Sequence, residues 1–199
     1  MMNTKKEKKT AAEFMAELNA DPAFLIAHAK REKIHFEKVA RLKAASNPLD
    51  DKLRSMCSLV TDGVWDLVNT RERYDEVLPI LFEHLTKDYP DEILDGIARA
   101  LAVPQALPYR PTLISLFRRD PPVSEGFRYG LGVAIAHTTG PHNLSETIEL
   151  AKDRSLGESR LPLLLAIRRS RKPEIRQVIE ELGKDADLAK EIASWRRPK

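Results

Sequence analysis

Few residues in this sequence combine the types and the spacing that chemistry requires. The single cysteine, Cys57, lies in a mostly apolar stretch without a Cys-His motif, which predicts a buried thiol rather than a nucleophile. Gly126, Gly130 and Gly132 fall within a helical pattern, so we expect them to allow close helix packing rather than to cradle a phosphate. The sequence has no P-loop, no H-E-x-x-H and no G-x-S-x-G motif. We therefore predict a protein that is not an enzyme and has no cofactor.

The histidines offer one candidate metal site, where His137 and His142 flank the turn at residues 138–141. A protein metal site normally has three or four ligands, and no aspartate or glutamate lies in the immediate stretch. We therefore predict no metal site. His84 stands alone between Glu83 and Leu85, and we predict that it lies on the protein surface.

The composition narrows the class of protein. The chain has 199 residues, of which 42% are hydrophobic, and this fraction is too large for wholesale disorder. Eight glycines and 6% aromatic residues do not favour a β-sandwich. The sequence has no apolar run of about 18 residues and no apolar stretch behind its basic start, so we expect neither a membrane span nor a secretory signal. These features, with a single cysteine, predict a mostly helical cytoplasmic protein.

Charge is distributed unevenly along the chain, although the formal net charge is only +3. Residues 1–54 carry a net charge of +4, residues 55–153 of −6 and residues 154–199 of +5. Segregation of charge in this way can steer binding to a partner.

Apolar residues recur at helical spacing in short segments that prolines separate, and these segments repeat. Residues 97–102 align with residues 131–136 at an offset of 34, and the latter align with residues 163–168 at an offset of 32. The preceding helices repeat as well, with residues 78–82 over residues 112–116. A two-helix period in the thirties indicates a solenoid, in which neighbouring pairs must stack to bury their apolar faces.

Three stretches within residues 50–195 resemble bacterial HEAT-like repeats. They are Asp120-Pro121-Pro122-Val123 before a helix, the helix ending at residues 98–102, and the step from Ile167 through Lys172-Pro173-Glu174 into Ile175. The resemblance implies an all-α fold, a right-handed α-solenoid of stacked antiparallel helix pairs. The sequence departs from the repeat pattern at Pro162, which we expect to shorten its helix.

The predicted organisation has three parts: a disordered basic arm at residues 1–10, an N-terminal helical cap at residues 11–49, and the HEAT-like array at residues 50–199. Within the cap, Asp21 and Pro22 open a helix that we expect to run to Ala45. Its apolar side chains should cover the first repeat, and they are Phe24, Leu25, Ala29, Phe36 and Val39. We expect Trp65 to fill the end of the core against this cap. The alternative is an aromatic at the mouth of the concave surface.

The resemblance implies that the second helix of each pair lines the concave face. On this basis the candidate partner-binding residues are Glu92, Asp95, Arg99, Glu125 and Arg128, and Glu158 and Arg160 continue the row. The main hypothesis is a non-enzymatic scaffold or adaptor that binds another protein through this face. The competing interpretation is a solvated surface whose ion pairs are worth a few tenths of a kcal/mol each.

A second hypothesis is nucleic-acid binding through basic residues near the two ends of the chain. The candidates are Lys5, Lys6, Lys8 and Lys9 of the arm, Lys30 and Arg31 of the long helix, and Arg168, Arg169, Arg171 and Lys172. This hypothesis predicts an affinity that falls steeply with salt. A third hypothesis is an enzyme on this scaffold, as in HEAT-like DNA glycosylases. The acidic middle of the chain and the lack of an acid/base constellation argue against that hypothesis.

Overall fold

In a computed structural model, residues 9–68 and 70–195 are described. These residues form α-helices and 3₁₀ turns without any strand, so the all-α prediction is confirmed. The described residues up to Ala44 form one unit, and those from Ala45 onward form a second. No helix in this part of the chain is long and apolar enough to span a membrane. Lys5, Lys6 and Lys8 of the predicted arm lie outside the described residues.

Two helices begin in the first unit, α1 (Ala11–Ala20) and α2 (Pro22–Met56). Thr10 and Glu13 form a capping box at the start of α1, because the Glu13 N–H donates to the Thr10 hydroxyl at 3.3 Å and the Thr10 N–H donates to Glu13 Oε2 at 2.9 Å. At the start of α2, Asp21 accepts a hydrogen bond from the Ala23 N–H at 2.9 Å. Asp21 and Pro22 were predicted to open α2, and this helix begins there.

The end of α2 differs from the prediction. The helix continues beyond Ala45, through Pro48, to Met56. An interior proline costs a helix about 3 kcal/mol. Leu49 and Leu53 lie one turn apart after the proline and are fully buried in the second unit. Burial of a leucine side chain contributes about 1.5–3 kcal/mol, so these two residues offset the cost of Pro48.

The apolar side chains of α2 within the first unit are not buried. Leu25 is 46% exposed, Phe36 is 67% exposed and Val39 is 45% exposed, so no described residue of this unit covers them, and their packing on the first repeat stays a prediction. Charged residues alternate with apolar ones around this part of the helix, which therefore lacks a continuous apolar stripe.

The second unit contains the last turns of α2 and nine shorter helices among its described residues. They are α3 (Trp65–Val68), α4 (Leu78–Leu85), α5 (Asp91–Ala100), α6 (Arg110–Phe117), α7 (Glu125–His137), α8 (Leu144–Lys152), α9 (Leu163–Arg169), α10 (Ile175–Leu182) and α11 (Ala186–Ser194). Stretches of 3₁₀ helix at Asp75–Val77, Pro104–Tyr109 and Arg154–Arg160 precede α4, α6 and α9. Pro162 immediately precedes α9, which begins at Leu163, and a shortening of this helix by the proline stays a prediction.

Helices pack in consecutive pairs, α4 on α5, α6 on α7, α8 on α9 and α10 on α11. Alternate helices also touch, from α3 to α5, from α5 to α7 and from α7 to α9. Ile97, Leu131 and Leu163 occupy matching positions in the sequence repeat, and none of them has any exposed surface. These three aligned positions therefore share the same buried environment.

Two of the three clustered glycines lie at close contacts. A Cβ atom at Gly130 would overlap the Asp95 carboxylate, and one at Gly132 would lie 2.8 Å from the Ser159 carbonyl oxygen. The close-packing prediction is confirmed for these two. It is wrong for Gly126, where a Cβ would meet nothing within 4 Å.

Candidate functional site

The predicted partner-binding residues lie around the contact between α5 and α7. The Arg99 Nε donates to Asp95 Oδ1 at 2.8 Å, and the Arg99 guanidinium carbon lies 5.4 Å from the centre of the Tyr129 ring. Asp95 also lies against Gly130. The Asp95 carboxylate is thus already paired within α5, while the Arg99 guanidinium contacts Tyr129 of α7.

Trp65 lies on the surface beside the same helices. It is 46% exposed, so the prediction that it fills the end of the core is wrong. A Cβ atom at Gly96 would lie 3.0 Å from the indole Cε2, which shows how closely the ring approaches α5. Because Gly96 has no side chain, the ring can lie against the helix while its outer part remains exposed.

Glu125 and Arg128 line a groove of about 350 Å³. Tyr129 and residues 155–159 form the rest of its main walls. The Arg128 Nε is buried and has no hydrogen-bond acceptor in the described part of the chain. We call the exposed or partly exposed residues around this contact the central surface, and they are Trp65, Glu92, Asp95, Arg99, Glu125, Arg128 and Tyr129.

The sequence had suggested that Arg160 continues this row, but it does not. Its side chain is fully buried. Its guanidinium donates to Asp185 at 3.0 and 3.1 Å and to Asp187 at 2.8 Å. It also donates to the carbonyl oxygens of Gly157 at 2.8 Å and Ala151 at 3.1 Å. All five N–H groups are therefore used, and Arg160 connects the 3₁₀ helix before α9 to the start of α11.

A second buried arginine, Arg110, was not identified from the sequence. Its guanidinium donates to the Ile135 carbonyl oxygen at 2.9 Å, to the Thr147 hydroxyl at 2.8 Å and to Glu146 at 3.1 Å. Burial lowers the pKa of Arg110, and the hydrogen bond with Glu146 raises it in part. The role of Arg110 is to join α6 to α7 and α8.

His84 is buried, with 2% of its surface exposed, so its predicted surface position is wrong. Its Nδ1 lies 2.7 Å from the Tyr89 hydroxyl, and its Nε2 lies 3.2 Å from Lys87 Nζ and 3.4 Å from Lys52 Nζ. Burial first, and then the two lysine charges, lower the pKa of His84 and favour the neutral imidazole. In the sequence, the short separation between His84 and Tyr89 was the signal for this hydrogen-bonded pair.

Four cations lie within residues 168–172, which we call the basic segment. Arg168, Arg169, Arg171 and Lys172 are all exposed. A groove of about 610 Å³ and another of about 470 Å³ border the segment. The Arg168 guanidinium carbon lies 4.8 Å from the centre of the Trp195 ring.

Lys30 and Arg31 are exposed on α2 in the first unit, whereas the basic segment belongs to the second. Of the predicted lysine arm, only Lys9 lies within the described residues, and it pairs with Glu17 at 2.5 Å. Nucleic-acid binding through both ends of the chain therefore stays a prediction.

Cys57 is buried, which confirms the prediction for this thiol. Residues 9–68 and 70–195 contain no group of three or more histidine, cysteine, aspartate or glutamate side chains that could hold a metal ion.

Comparison of the chain with protein-family models, with curated proteins and with solved structures finds no match. The resemblance to HEAT-like repeats accordingly stays a prediction from the sequence.

Proposed function

We propose that the second unit is a HEAT-like α-solenoid that binds another protein through the central surface. The observation that carries this proposal is the exposure of Trp65 and Tyr129 beside Arg99 and Arg128. Tryptophan, tyrosine and arginine are the residues most enriched among those that dominate protein–protein binding energy. Large aromatic side chains that stay half-exposed are well suited to anchor a partner.

Two features of the packing support a solenoid. The consecutive pairs and the contacts between alternate helices are what stacked repeats require. The central surface lies on α3, α5 and α7, which would be successive second helices of such an array.

The charges of the central surface support a protein partner. Glu92 and Glu125 are acidic, while Arg99 and Arg128 are basic. Mixed signs favour a partner surface with a complementary pattern of charges over a uniformly charged polymer. An acceptor supplied by the partner would also satisfy the Arg128 Nε, which has none among the described residues.

The test is an affinity capture from native lysate with the tagged full chain, with and without nuclease, followed by binding measurements on the captured protein. The variant W65A/E125K removes an anchor and reverses an exposed charge. We expect it to weaken binding at least about tenfold, because truncation of one such anchor commonly costs about 1–2 kcal/mol or more. Circular dichroism should remain helical.

The matched control is Glu149→Lys, which makes the same charge change at an exposed position of α8. It should bind like the wild type. Equal binding by W65A/E125K and the wild type would contradict the proposal, and so would capture that disappears after nuclease treatment.

A further inference from the structure

Beside two grooves, the basic segment brings together several cations that have no partner in the described part of the chain. The charged side-chain groups of Arg169, Arg171 and Lys172 form no ion pair and no hydrogen bond with any described residue. Arg176, on the next helix, pairs with Glu180 at 3.5 Å. Three neighbouring cations thus remain available to an anionic ligand.

The helix dipole explains only part of this cluster. Arg168 and Arg169 lie in the last turn of α9, where a positive charge is favourable. Arg171 and Lys172 lie beyond the end of the helix and line the grooves on either side of the loop. The cations therefore extend as a strip past the helix end, where the dipole no longer accounts for them.

An aromatic and apolar groove adjoins this strip. It has a volume of about 330 Å³, and Leu165, Arg168 and Trp195 contribute to its walls. Leu165 is 42% exposed, and the Trp195 Nε1 donates to Glu191 Oε1 at 2.8 Å, which orients the indole. Arg168 lines both this groove and the larger basic groove, so the two adjoin at this side chain.

We propose that the basic segment and Trp195 bind single-stranded nucleic acid. Guanidinium groups of Arg169 and Arg171 contact phosphates of the strand, because a guanidinium matches phosphate oxygens in a bidentate geometry. An unpaired base enters the neighbouring groove and stacks near Trp195. Cationic grooves beside aromatic side chains are the combination that proteins use for single strands.

Other anionic ligands could contact the cations of the basic segment but would not also fill the Trp195 groove with a base. In a duplex the bases are stacked inside the helix, so none is free to enter the Trp195 groove. An acidic polypeptide would satisfy the cations but supplies no succession of flat bases. Tyr129 of the central surface also lines the Trp195 groove, but Trp65 and Glu125 do not, so the variants of the two proposals alter different residues.

The experiment is fluorescence anisotropy with the full chain and a labelled single-stranded oligonucleotide of about 15 nucleotides, within the range that single-strand-binding modules cover. Binding is measured between about 50 and 200 mM salt. We expect the logarithm of the affinity to fall linearly with the logarithm of the salt concentration, by about 0.7 for each phosphate contacted. R169Q/R171Q should lower the affinity at least tenfold and reduce the slope by about 1.4.

The matched control is R118Q/R119Q, which removes two exposed arginines near the end of α6 and has the same net charge as the test variant. It should retain the wild-type affinity and slope. Equal losses in the two double variants would show a response to net charge alone and would overturn the proposed site. Absence of wild-type binding at the lowest salt concentration would also overturn it.

Trp195→Ala separates stacking from charge. We expect about tenfold weaker binding with an unchanged salt slope, and partial recovery in Trp195→Phe, because a phenyl ring still stacks on a base. A duplex of the same sequence should bind more weakly and be insensitive to Trp195→Ala. If a polyglutamate peptide binds as tightly as the oligonucleotide and Trp195→Ala affects neither ligand, the site recognises acidic polypeptides and the proposal is wrong.

Discussion

Two arginine sites of the second unit lie close in sequence and have opposite environments. Arg160 is fully buried and uses all five of its N–H groups. Arg169 and Arg171 are exposed and have no side-chain partner among the described residues. The comparison teaches that an arginine organises the fold where acceptors surround it and is free to bind a ligand where they do not.

The physical reason is the cost of removing a charge from water. A buried guanidinium is tolerated only when acceptors replace its hydration, and Asp185, Asp187 and two carbonyl groups do so for Arg160. The same contacts act on Asp185, because the hydrogen bond from Arg160 lowers the pKa of this carboxyl group. An exposed arginine keeps its hydration and has no such requirement.

Arg160→Ala should have the largest effect on stability. It would leave the carboxylate of Asp185 without its main partner, and removal of one member of a buried ion pair costs about 3–5 kcal/mol. Chemical unfolding followed by circular dichroism measures the change. Arg169→Ala is the control and should alter the free energy of unfolding by less than about 0.5 kcal/mol. Similar losses in the two variants would break the comparison.

Arg110→Ala should destabilise the protein less, by about 1–3 kcal/mol. Its partner Glu146 is 47% exposed and can regain water when the guanidinium is removed. The Thr138 and Thr139 hydroxyls also donate to the Ile135 carbonyl oxygen, at 3.1 and 2.7 Å, so that oxygen keeps a donor. The same unfolding experiment applies, and a loss as large as that of Arg160→Ala would contradict this ranking.

Gly130→Ala tests whether close packing against Asp95 constrains α7. We expect destabilisation of about 1–3 kcal/mol, because the added methyl group overlaps the carboxylate and α5 or α7 must shift. Gly126 lies on the same helix, and a Cβ atom there would meet no neighbour. Gly126→Ala should therefore stabilise the protein by about 0.4–1 kcal/mol. The prediction fails if the two variants shift the thermal midpoint in the same direction.

His84 should produce the smallest effect, a dependence of stability on pH. Its pKa in the folded protein lies below the unfolded value of about 6.5, so the unfolded chain takes up a proton first as the pH falls. The free energy of unfolding should therefore decrease below about pH 6.5, by no more than about 1.36 kcal/mol per pH unit.

Lys52, Glu83, Lys87 and Tyr89 surround this imidazole, and only the glutamate charge favours its protonation. His84→Gln should flatten the pH dependence between about pH 7 and 5.5 when unfolding is repeated across that range. Identical slopes in the variant and the wild type would show that another group is responsible.

The repeats of the second unit show where the pattern of apolar residues predicted burial correctly. In the second unit, Leu101, Ile135 and Ile167 align in the sequence repeat, and all three are fully buried. In the first unit, Leu25 and Phe36 belong to no repeat, and both are exposed within that unit. A repeat constrains burial because each pair faces a similar pair, whereas a single helix has no such internal template.

The sequence by itself determined the helical class, the start of α2 at Asp21 and Pro22, and the buried positions of the repeat. These features depend on local capping and on the periodicity of apolar residues, and both are set by residues that lie close together in the sequence. The environment of each polar side chain was decided only by tertiary structure. Arg160 and Asp185 are 25 residues apart in the sequence, and no local pattern distinguishes this buried pair from the free cations of the basic segment. The difference arises because hydration and hydrogen bonding of a charge depend on which distant groups the fold brings within reach.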